Sequence, residues 1–212
     1  MKIVLENIGR RFNQEWIFRQ LNYTFEQGKS YAILGANGAG KSTLLQVISC
    51  SLGPSEGRIA FVNGDKIIHP DSIYSEISLA APYLDLMEDF SLREMIDFHY
   101  KFKNPLPGVD TDKVIEILGL SSSADKAIRY FSSGMKQRTK LALSILSDTP
   151  VLLLDEPTAN FDSQGVQWYQ ELIQKYTPNR LLIVCSNQEA EYHFCQHQLS
   201  LSDYKDFNCV AL

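Results

Sequence analysis

"SYAILGANGAGKST", residues 30–43, decides the fold. A short apolar run bounded by glycines has the pattern of a buried strand. "KSTLLQVISCSL" (41–52) then reads as a helix, and the turn between them fits G-x-x-x-x-G-K-[ST]. Gly35, Gly38 and Gly40 let the backbone wrap an anion without Cβ clashes. Their N–H groups, in one loop with Ala36, Asn37 and Ala39, and the helix N-terminus give a fixed positive field for phosphate. Lys41 adds a point charge for β/γ-phosphates, and the hydroxyl-bearing Ser42 and Thr43 follow, Ser42 placed for Mg²⁺.

Working outward, "VLLLDE" (151–156) and "RLLIVCS" (180–186) are two more buried-strand runs, separated by the helical "SQGVQWYQELIQKY". Strand–helix alternation around a phosphate loop predicts an α/β fold with a parallel core sheet. "KIVLENI" (2–8) and "LNYTFE" (21–26) alternate as half-exposed strands joined through "GRRFNQEW", and "GRIAFVNGDK" (57–66) carries an Asn-Gly turn. From about residue 84 the periodicity turns helical, with a Ser91/Glu94 capping box and Gly119 near the end of "DTDKVIEILGL". Segments of about 1–80 and 147–212 are expected to form the core with its antiparallel β lobe, and about 81–146 a helical lobe.

Composition narrows the function. The 212 residues carry a net charge of −5, which argues against a nucleic-acid partner. No apolar stretch has signal-peptide or membrane-span length. Cys50, Cys185, Cys195 and Cys209 form no CxxC pair, and Cys185 within "LLIVCS" reads as a buried small hydrophobe. His193, Cys195 and His197 would share one strand face, but with no fourth ligand at a zinc spacing they read as an edge segment.

Two further motifs carry chemistry. "VLLLDEPT" (151–158) ends a buried strand in paired carboxylates, a costly arrangement unless they meet a cation or a reactant. Asp155 fits the Mg²⁺ shell, and Glu156 fits a group that orients or deprotonates water. "FSSGMKQR" (131–138) places Ser132 and Gly134 at a helix N-terminus, a second anion-holding turn.

A P-loop, then an S-x-G turn before a helix, then hhhhDEPT resembles the ATP-binding subunit of ABC transporters over essentially the whole chain. "FSSGMKQR" aligns with the family signature L-S-G-G-Q, with Phe131, Ser133 and Met135 as departures. The resemblance implies a RecA-like P-loop NTPase core with an antiparallel β lobe and a helical lobe, an ATPase using ATP and Mg²⁺. It also implies head-to-tail pairing, as a homodimer or a heterodimer of cassettes, in which one protomer's signature caps the γ-phosphate on the other's P-loop. "TANFD" (158–162) resembles the D-loop. Phe12, 29 residues before Lys41, matches the aromatic that stacks on adenine, with Trp16 as runner-up. Gln137 and Arg138 continue the signature helix or form exposed surface.

Two positions depart from the family. Asn187 stands where a switch His is usual, and an amide carries no positive charge. No Gln lies between Gln46 and Gln137, so Pro82 or Tyr83 takes the place of the Gln that contacts Mg²⁺ and water. Slower or differently gated hydrolysis is expected, with Glu156 retained. The resemblance implies a cytoplasmic subunit, peripheral on the inner face of the membrane, powering a separate membrane-embedded permease that docks around residues 81–95. A soluble non-transport ABC ATPase is the alternative, disfavoured by the acidic single cassette. A regulatory cassette with little turnover is a further one, disfavoured by Glu156.

Overall fold

The computed structural model describes residues 1–205, so Cys209 and the end of the expected core segment lie outside the described residues. Five parallel strands stand in the order β6(Ile77–Ala80), β7(Val151–Asp155), β8(Leu181–Cys185), β3(Ser30–Leu34), β9(His197–Ser200). Packed against them is an antiparallel sheet in the order β2(Glu15–Glu26), β1(Lys2–Phe12), β4(Glu56–Asn63), β5(Lys66–Ile68).

The central strands β7 and β8 are apolar from Val151 to Leu154 and from Leu181 to Cys185 because both faces are covered, as expected of a parallel sheet. On β7 and β8, Val151, Leu153, Leu181, Ile183 and Cys185 face one cluster, shared with Ile3, Phe18, Phe25 and Phe61 of the antiparallel sheet and with Leu44 and Ile48 of helix α1(Lys41–Ile48). The alternate residues Leu152, Leu154, Leu182 and Val184 pack with Leu141 and Ile145 of α4(Ser133–Ile145) and with Tyr169 and Ile173 of α5(Ser163–Tyr176). Burying each such side chain contributes about 1.5–3 kcal/mol. Cys185 is fully buried, as its apolar run suggested.

The helices α2(Leu92–His99) and α3(Thr111–Leu118) build a third cluster with one face of α4, including Ile96, Val114, Ile128 and Leu146. Their ends follow local chemistry: Ser91 and Glu94 form the reciprocal capping box, Asp110 caps α3, and Gly119 closes it in the left-handed conformation.

The structure tightens or alters several sequence expectations. The β1–β2 hairpin turns at Asn13–Gln14, with Phe12 paired to Glu15 and Asn13 supplying a positive φ of 54°, so both strands run through the expected turn region. The β4–β5 hairpin turns at Gly64–Asp65, one residue beyond the Asn-Gly pair. Helix α1 ends at Ile48, and Cys50 has left-handed φ. His193, Cys195 and His197 do not share a strand face. His193 caps the short helix α6(Glu189–Tyr192), β9 starts only at His197, and no group of three metal-ligating side chains gathers among the described residues.

Candidate ATP site

The turn between β3 and α1 places Asn37, Gly38, Ala39, Gly40, Lys41, Ser42 and Thr43 around a cleft of about 220 Å³, closed by Ile17 of β2 and by Glu156. It lies at the carboxyl ends of the parallel strands, where open α/β sheets bind ligands. A larger cleft, about 500 Å³, opens at the opposite ends of β3 and β8 beside Lys29, Ser30 and Leu182, and holds none of the motif residues.

Gly40 is a structural requirement of this turn. It precedes α1 with φ 98°, and a Cβ there would stand 2.2 Å from Ile17 Cγ2. No side chain caps α1, so its first N–H groups keep no side-chain acceptor. Lys41 is buried, and its ammonium donates to the carbonyls of Gly35 at 2.7 Å and Ala36 at 3.3 Å.

The carboxylate pair is split by its surroundings. Asp155, the last residue of β7, is buried and hydrogen-bonded to Ser42. Burial raises its pKa most strongly; the Ser42 bond opposes this and the Glu156 charge adds to it. Glu156 turns outward into the cleft with a φ of 42°, its N–H donating to Cys185 O at 2.9 Å. One carboxylate is thus fixed beside a hydroxyl, while the other faces the open side of the phosphate loop.

Asn187, two residues past β8, donates its Nδ2 to Asn37 Oδ1 of the phosphate loop at 2.8 Å. Tyr83, not Pro82, reaches this region: its hydroxyl is hydrogen-bonded to the Gln46 side chain. Burial and then the Asp155 charge push its pKa up to about 12. Lys140 Nζ donates to Ala81 O at 3.3 Å, tying the preceding turn to α4.

Other residues fall elsewhere. Phe12 sits at the hairpin end, 46% exposed, with the Arg10 guanidinium 4.6 Å from its ring centroid, and it does not line the phosphate cleft. Trp16 carries the Arg11 and Arg19 guanidinium groups over its ring. Ile17, which does line the cleft, escaped the sequence reading because an aliphatic residue in an alternating strand carries no sign of a ligand.

Ser132, Gly134 and Met135 form a second cleft, of about 290 Å³, with Asn160, Phe161 and Asp162. Ser132 Oγ caps α4 by accepting from Met135 N at 3.2 Å. The two clefts have no lining residue in common. Arg138 packs over Phe161 and Trp168 at the edge of the second cleft. Gln137 is buried rather than exposed, and it donates to Pro157 O at 2.9 Å.

The model of the family described as ABC transporter matches residues 18–159. The cytochrome c biogenesis ATP-binding export protein CcmA of Brucella abortus (strain 2308) is 28% identical over 190 residues, covering 88% of this chain and 85% of that protein. Among solved structures, a putative ABC transporter ATP-binding protein from Pyrococcus furiosus superimposes with a TM-score of 0.81 at 20% identity, over 97% of this chain and 100% of that one. The dimeric structure of a bacterial ABC transporter cassette gives 0.76 at 20% identity, over 94% of each chain. With the match spanning the phosphate loop, the signature turn and the paired carboxylates, this chain belongs to the ABC transporter family and is an ATP-binding ATPase of it.

Proposed function

We propose that this chain hydrolyses ATP to power a separate membrane-embedded permease, working as one of two paired cassettes. The observation that carries the reading is the convergence of Lys41, Ser42, Asp155 and Glu156 on one cleft at the carboxyl end of the parallel sheet. The backbone of residues 35–40 and Lys41 hold the β- and γ-phosphates, and Thr43 lies at the adjoining turn of α1. The Ser42 hydroxyl and Asp155 carboxylate are a hard-oxygen pair already in contact, which suits Mg²⁺. Mg²⁺ would neutralise charge developing on the transferred phosphoryl group. Glu156 orients the attacking water and accepts its proton, and Asn187 sits at the γ-phosphate end of the loop as a neutral donor. Phe12 is the exposed ring available for adenine.

The separation of the signature cleft from the phosphate cleft supports pairing: Ser132 and Gly134 meet a nucleotide held by another cassette, either a second copy or a different one. The helical segment 81–146, with its own apolar cluster, is the lobe that carries them. Among the described residues no helix is long and apolar enough to cross a membrane. In this reading the permease holds the chain at the inner membrane face. Tyr83, Leu84 and Met87 are exposed, whereas Leu86 and Phe90 pack against the helical cluster. The docking surface is thus Leu84 and Met87. Alanine at both should release the chain from membranes in a flotation assay while ATP binding persists; retained flotation would sink this placement.

A further inference from the structure

Glu191 is fully buried, yet the chemistry above does not use it. Its Oε1 accepts from Thr158 N at 2.7 Å and from Thr158 Oγ1 at 2.5 Å, while Oε2 has no hydrogen-bond partner among the described residues. A buried carboxylate with a vacant oxygen costs stability, so its presence calls for a task. Gln137 meets the same segment, donating Nε2 to Pro157 O at 2.9 Å while only 5% exposed.

The segment so gripped, residues 156–162, runs from one cleft to the other. Glu156 lines the phosphate cleft, and Asn160, Phe161 and Asp162 line the signature cleft. Its own preferences do not hold Glu156, whose φ of 42° is a left-handed conformation that disfavours a glutamate, whereas Asn160, at 68°, tolerates it. The two grips fall on adjacent residues, immediately after Glu156. Gln137 belongs to α4, which Ser132 caps, and Glu191 to α6, which begins two residues after Asn187.

We propose that Gln137 and Glu191 are a pair of positioning residues that clamp Pro157 and Thr158, so that the signature helix and the segment after Asn187 jointly set where Glu156 stands. The inference rests on the reading of Glu156 as the water-orienting carboxylate.

The test uses the full-length chain, with its permease where isolated turnover is low, and compares Gln137→Ala, Glu191→Ala, Glu191→Gln and the double alanine variant. Each alanine variant should lower kcat about tenfold, the scale of a small misplacement of a catalytic group. KM and the Kd for a fluorescent ATP analogue should stay within about twofold, since the phosphate loop is untouched. Glu191→Gln keeps an oxygen acceptor for both Thr158 donors and should recover most of the rate. The double variant should lose no more than the worse single one, because both act on one segment. Thr158→Val, nearly isosteric, should lower kcat alone and decides the matter should Glu191→Ala fail to fold. Unchanged kcat in Glu191→Ala, equal loss in Glu191→Gln, or losses that multiply would overturn the proposal. Glu156→Gln separates the two ideas: if it hydrolyses ATP at the native rate, the assignment of Glu156 fails, whatever the clamp variants do.

Discussion

Two helix N-termini in this chain are built to hold an anion, and they are finished differently. At α1 no side chain caps the helix, a left-handed Gly40 clears the space, and Lys41, Ser42, Asp155 and Glu156 close around the opening. At α4 the Ser132 hydroxyl already accepts from the helix's own Met135 N–H, and the neighbours are Asn160, Asp162 and Arg138, whose guanidinium packs over Phe161 and Trp168, with neither a lysine nor the DE pair. In the proposed function the first turn holds the chain's own nucleotide, and the second meets one held by another cassette. A helix N-terminus thus becomes a binding site only through what the rest of the fold brings to it.

The comparison is broken most severely by Lys41→Ala. Removing the buried ammonium should weaken ATP binding about 10- to 100-fold, the worth of lost charge-assisted hydrogen bonds, measured by equilibrium titration with a fluorescent analogue. Near-native affinity would mean that the phosphate loop is not the primary site. A smaller, sharpening effect is expected at Asn187, where the neutral amide bonds Asn37 rather than carrying charge. Asn187→His should raise kcat several-fold with little change in KM, read by phosphate release; a lower rate would show that the Asn37 contact itself is needed.

The smallest effect lies in the helical lobe, away from both turns. His99 is held near a pKa of about 4, first by burial and then by Lys103, while its Nε2 meets Ser147 Oγ at 2.9 Å. The unfolded chain would bind a proton near the ordinary value of 6.5, so the unfolded state takes up protons first as pH falls. The stabilising contribution is complete above 6.5 and is lost progressively as pH drops toward 4. His99→Gln should flatten that part of the denaturation profile; an unaltered slope would contradict the assignment.

Much of this was legible in the sequence, for identifiable reasons. The strands β3, β7 and β8 are buried on both faces, so their apolar runs are unbroken and end abruptly at the chemistry. Ser91 with Glu94, and Gly119, declare helix ends through local hydrogen bonding. What stayed hidden depends on contacts between distant segments. Glu191 sits in "NQEAEYHF", where an acidic residue in a polar stretch gives no sign of full burial, and only the packing of α6 on α5 encloses it. Gln137 is ambiguous for the same reason, being polar on a helix that contacts both the core and the lobe. Tyr83 was one of two candidates for its position, separated from Pro82 only by its reach to Gln46 and Asp155.

The central claim, that the Ser132–Gly134 turn is half of a site completed by another cassette, is tested most directly by Gly134→Asp. A Cβ at this position would have no neighbour closer than Asn160 O at 3.9 Å, so the substitution leaves the chain's own packing undisturbed and places a negative charge in the cleft. ATP affinity and steady-state turnover should be measured on one preparation. Native affinity for the analogue in the monomer is expected, with loss of hydrolysis at every protein concentration. Hydrolysis at the native rate, or a loss of binding as large as the loss of turnover, would contradict the claim.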